Sequence, residues 1–112
     1  MTQRKFPRRP MLSREFPPVD PAMLERSART FQPMVQDASR LINRLSERSF
    51  ATPLMAAAQA GHQQEVDRMI RSVATNSRIQ TKYTPSGLVL TIEPSDPASS
   101  CCNLTMTLKW GV

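Results

Sequence analysis

A chain of 112 residues with one histidine, one tryptophan, one tyrosine and three glycines has few of the raw materials of catalysis. A nucleophilic triad or a metal site needs several donors at fixed spacings, and three scattered glycines make no phosphate-cradling loop. The two cysteines, Cys101 and Cys102, are adjacent, whereas metal ligation needs spacings such as CxxC with further donors elsewhere. No run approaches the roughly 20 apolar residues of a spanning helix, and the charged N-terminus lacks the apolar segment of a secretion signal. His62, with Glu65 and Asp67 within one turn, is the one candidate general base or metal ligand, and no second donor pair supports it. The expectation is a chain with no enzymatic activity, no catalytic residue, no cofactor, no metal site and no small-molecule substrate.

Charge is present in one-sided excess: 15 Lys and Arg against 9 Asp and Glu, a net +6 with a pI near 10.4. Half of that excess lies in residues 1–20, where Arg4, Lys5, Arg8, Arg9 and Arg14 face two acids. Residues 1–19 are rich in proline and show no hydrophobic period, which predicts a flexible tail ahead of a single domain over 20–112. Arg4, Lys5, Arg8 and Arg9 are candidates for electrostatic contact with nucleic acid or an acidic protein. Arg40, Arg44 and Arg48 recur at helical spacing as a second basic ridge, with Asp37 and Glu47 close enough to neutralise part of it.

Order is expected from Asp20, an N-cap residue followed by Pro21. Leu24, Ala28, Phe31, Val35, Ala38, Ile42 and Leu45 then alternate at spacings of four and three, a heptad seam flanked by Met34 and Leu41. The seam keeps its phase through Pro33, which predicts one long kinked helix. Thr52 and Pro53 repeat the cap-then-proline pattern and predict a short alanine-rich helix. Gly61 is placed to end it in a left-handed conformation, with His62 as a turn residue bonding backbone at the start of the next helix. Val66, Met69, Ile70 and Val73 form the buried stripe of that last helix, so that helices occupy 20–74.

Beyond Ser77 the apolar period changes to two. Ile79 to Tyr83 and Leu88 to Ile92 read as a hairpin around Pro85, Ser86 and Gly87. A final strand, Cys102 to Trp110, carries Cys102, Leu104, Met106, Leu108 and Trp110 on one face. Asn103, Thr105, Thr107 and Lys109 lie on the other, with Cys101 at its start. The sheet spans 78–110 and needs a cover on its apolar face. The fold class is therefore α+β: a kinked long helix and a helical hairpin packed on a three-stranded antiparallel sheet. Cys101, on the polar face, is a candidate for an intermolecular crosslink. Asn103, Thr105, Thr107 and Lys109 mark a candidate assembly strand, with Lys109 the one charge discouraging edge pairing.

Two resemblances add to this reading. TPLMAAAQAGHQQEVDRMIRSVA, residues 52–74, resembles the helical part of a single ankyrin repeat, although no second copy follows. FPPVDPAML, SARTFQPMVQDASRLINRL, FATPLMAAAQAGHQQEVDRMIRS, YTPSGLVLTI and CCNLTMTLKW together resemble small inner spore-coat-type proteins of endospore-forming Bacillus-like bacteria. That second likeness implies a structural or assembly role in the spore coat, with other coat proteins and a second copy of the chain as partners. The alternative from composition is a small basic nucleic-acid-binding protein of the cytoplasm, using the tail and the Arg40, Arg44, Arg48 ridge.

Overall fold

The Asp-Pro pair opens the first helix as its chemistry requires. In the computed structural model, which describes residues 18–111, the Asp20 carboxylate accepts from the Ala22 N–H at 3.0 Å. The Glu25 N–H reaches the Pro21 carbonyl at 2.9 Å. Helix α1 then runs Ala22–Leu45 and contains Pro33. Pro33 lies on the exposed side, where the Arg29 carbonyl that has lost its donor can be served by water.

The face that α1 buries differs from the expected seam. Met34, Asp37, Ala38 and Leu41 are buried, and Phe31 and Leu45 are half-buried. Leu24, Ala28, Val35 and Ile42 remain exposed. The helix is rotated toward Met34 and Leu41 because fully buried Asp37 binds the start of the sheet: its carboxylate accepts from the Asn76 N–H at 2.9 Å.

Helix α2 covers Arg48–Gln59 and so begins four residues before Thr52, which is not its cap. Burial of Phe50 draws the preceding residues into the helix, and Pro53 lies within it. The end of α2 is as expected. Gly61 has φ +74°, the His62 N–H reaches the Ala57 carbonyl and the Gly61 N–H reaches that of Ala58. These two bonds make a Schellman closure, in which a left-handed residue lets the last carbonyls find donors. Helix α3, Gln63–Val73, starts after His62, whose side chain makes no capping bond. The Arg68 guanidinium bonds both Glu65 carboxylate oxygens and holds that carboxyl below its ordinary value.

Strands β1 (Ser77–Thr84), β2 (Gly87–Pro94) and β3 (Leu104–Lys109) form one antiparallel sheet in the order β1-β2-β3. The register pairs Thr81 with Leu90 and Leu90 with Met106. Period-two alternation turns Leu88, Leu90 and Ile92 of central β2 under the helices, where all three are buried. Together with Met34, Leu41, Leu54, Val66 and Ile70 they form the core. The inward residues of β1 and β3 are only half-covered, since the helical layer is narrower than the sheet.

Candidate assembly surface

Strand order decides what β3 can do. Paired only with β2, it leaves one edge without a strand among the described residues. Which backbone groups lie on that edge follows from one bond at its end. The Trp110 N–H donates to the Ser86 carbonyl at 3.1 Å. In an antiparallel ladder the bonded residues alternate, so Leu108, Met106 and Leu104 also turn their N–H and C=O toward β2. Thr105, Thr107 and Lys109 therefore point theirs away from the sheet. Their side chains, with that of Asn103, are exposed, while Leu104, Met106 and Leu108 are half-buried beneath the helices. Thr91 and Thr105 hydroxyls lie 3.5 Å apart on the outer face.

The C-terminal end of β3 is pinned. The Trp110 indole Nε1 donates to the Thr84 carbonyl at 2.9 Å, and its ring lies 6.2 Å from that of Tyr83. Both aromatics are used in packing. A Cβ on Gly111 would stand 2.5 Å from the Pro85 carbonyl oxygen, so the chain passes the β1–β2 turn with no room for a side chain.

The N-terminal end holds the cysteines. Just before β3, Cys101 is exposed and Cys102 half-buried. The Cys101 sulfur is bonded to that of Cys102. Cys102 Sγ also lies 3.8 Å from the Ser27 carbonyl oxygen of α1. A bond from Cys101 to another chain thus requires the Cys101–Cys102 bond to open first.

The basic ridge is divided. Arg40 Nη1 donates to Asp37 at 2.9 Å and Arg44 Nη1 to Glu47 at 2.6 Å, with the Arg44 guanidinium also 4.6 Å from the centre of the Phe50 ring. Arg48 stands beyond the end of α1, on the first turn of α2. Arg4, Lys5, Arg8 and Arg9 lie outside the described residues. Among the described residues no three of His, Cys, Asp and Glu gather as metal ligands. No described helix is long and apolar enough to cross a membrane.

The exposed row Leu24, Val35 and Ile42, at 74%, 47% and 49% exposure, completes the surface. Its sidedness can be read from the contacts of α1. Asp37 faces Asn76 at the β1 side, whereas Ser27 faces Cys102 at the β3 side. Leu45 shares a groove with Leu108 and Trp110. At 3.6 residues per turn the exposed row is the next sector past Ser27 and Leu45, on the side of α1 away from Asp37. Sequence periodicity identified these apolar residues but could not show that they would stay uncovered.

A family model described as YuzC spore coat inner layer protein matches residues 21–103. No curated protein matches the chain, and no solved structure does.

Proposed function

The chain belongs to the YuzC spore coat inner layer protein family and its location is the spore coat; on that premise we propose that it is a non-enzymatic structural protein that assembles the coat through protein–protein contacts at β3. The observation that carries this reading is the uncovered edge of β3, where the N–H and C=O of Thr105, Thr107 and Lys109 meet no strand among the described residues. A partner strand can add there through backbone bonds, its apolar side chains entering beside Leu104, Met106 and Leu108. Lys109 is the one charged residue of β3 and sits at its end, so most of the edge is undefended.

Cys101 supplies a way to make the contact permanent. A thiolate of a neighbouring coat protein attacks Cys101 Sγ, a new S–S bond forms, the Cys101–Cys102 bond breaks, and Cys102 leaves as the thiolate. No oxidant is consumed. The nucleic-acid alternative draws on net charge, but Arg40 and Arg44 are already engaged with Asp37 and Glu47.

The test is retention in the coat. A tagged chain carrying Thr105→Pro, made during sporulation, is expected to leave the coat on mild extraction while the unsubstituted chain stays. Equal retention of the two would overturn assembly through β3.

A further inference from the structure

The start of α1 stands clear of the rest of the described fold. Every residue from Pro18 to Arg26 is exposed, whichever way it points round the helix. The first to be half-buried is Ser27, whose carbonyl meets Cys102. The projecting end is nevertheless apolar, with Val19, Met23 and Leu24 at 98%, 62% and 74% exposure. Apolar side chains gathered on a free helix end are anchors in search of a groove.

A groove of matching chemistry lies at the other end of the same helix. Two depressions, of about 350 Å³ and 140 Å³, share Met55 of α2 and Trp110 as a common wall. Ala58, Gln59 and Tyr83 line the larger, and Leu45, Leu54 and Leu108 the smaller. The wall is fixed in advance, since the Trp110 indole donates to the Thr84 carbonyl at 2.9 Å and rests against Tyr83. A partner therefore pays little to order it.

We propose that Pro18 to Leu24 seat in this groove on a second copy of the chain, so that copies join head to tail. The contact is separate from the edge of β3 and goes beyond the reading given to that strand.

Three observations name the occupant. The first is distance. Leu45 is part of the groove, and α1 places about 35 Å between Ala22 and Leu45 at roughly 1.5 Å per residue. One copy cannot bring its own projecting turn to its own groove, whereas two copies can. The second is shape. Met23 and Leu24 diverge by about 100° round the helix, so their side chains can straddle the wall of Met55 and Trp110 and enter one depression each. A methionine sulfur beside Tyr83 and Trp110 gains a favourable aromatic contact. The third is charge. In a chain of net +6, Asp20 is the one charged residue from Pro18 to Leu24, and Lys109 is the one charged residue lining the two depressions. No like charges meet.

Such a contact uses one surface at each end of the molecule. Every joined pair leaves a free helix end on one copy and a free groove on the other, which is the condition for open growth. Three anchoring side chains make a contact at the small end of specific interfaces, so association is expected at high protein concentration, as in a packed layer.

The full chain, concentrated toward millimolar, is expected to pass beyond dimer mass in sedimentation equilibrium. Trp110 is its single tryptophan, and its emission should shift to the blue as the groove fills. Leu24→Lys charges the helix end and Gln59→Arg charges the groove, both at exposed positions. Each should weaken association at least tenfold with unchanged circular dichroism. Mixed in equal amounts, the two variants should form a one-to-one dimer and nothing longer, because one intact helix end and one intact groove remain. A monomer at millimolar concentration, association indifferent to both substitutions, or a mixture that stays monomeric would each overturn the proposal. Association that survives Leu24→Lys but is lost on removal of residues 1–17 would assign the groove to that segment and overturn it too. Thr105→Pro should leave this association unchanged. Its loss in that variant would refute the head-to-tail contact and leave assembly through β3 standing.

Discussion

Asp37 and Asn76 are separated by 39 positions in the chain, yet the Asp37 carboxylate accepts both the backbone N–H of Asn76 at 2.9 Å and its side-chain Nδ2 at 3.4 Å. With Arg40 donating at 2.9 Å, a fully buried carboxylate is satisfied from three donors. The bond fixes the rotation of α1 at the point where the chain enters β1. It thereby decides which apolar residues of α1 go inward.

Asp37→Ala is expected to lower unfolding stability by about 2–4 kcal/mol, because it strands the Asn76 N–H and removes a partner of Arg40 at a buried position. Arg40→Ala should cost less than about 1 kcal/mol, since half of that side chain is in water. Urea unfolding of both variants measures the difference. Equal losses would mean that Arg40, not Asn76, is the partner that matters.

Thr81 offers the opposite case. Its hydroxyl is buried without a hydrogen-bond partner among the described residues. Thr81→Val keeps the branched shape suited to a strand and removes the unmet polar group, so stability should rise, by up to about 1 kcal/mol. A thermal midpoint that falls would reveal a partner for the hydroxyl.

Gly61 holds φ +74° with open space where a Cβ would stand. Gly61→Ala therefore meets no clash, and its cost is the left-handed backbone alone, about 1–2 kcal/mol. Gly111→Ala, by contrast, drives a methyl into the Pro85 carbonyl and should loosen the end of β3. Amide exchange at Trp110 is expected to quicken in the second variant and not in the first.

A chain beginning at Pro18 is expected to retain the thermal midpoint of the full chain. The described core residues and strands lie between Asp20 and Gly111. A fall of many degrees on truncation would assign Phe6 or Phe16 a place on the domain.

Much of this architecture was legible in the sequence where a local rule had no competitor. Period-two alternation from Ile79 to Trp110 gave strands within a residue or two of those observed, and Gly61 marked its turn because few other residues tolerate that backbone. The start of α2 was misplaced because Thr52-Pro53 imitates a cap, whereas burial of Phe50 extends the helix upstream. The orientation of α1 was not legible, for the helix has apolar residues on two adjacent sectors. Met34 and Leu41 compete with Val35 and Ile42, and the choice depends on Asn76, far along the chain. Of the proposed assembly strand, the alternation of Thr105, Thr107 and Lys109 could be read, but not that β3 is an edge. Strand order is a property of the whole sheet.

The bond between Cys101 and Cys102 gives this edge a further property. When a neighbour's thiolate opens it, Cys102 is released as a new thiolate, so each linkage regenerates the species that made it. In the proposed assembly such an exchange would be a chain reaction, in which a single reduced cysteine passes from one protein to the next and leaves a covalent seam behind it.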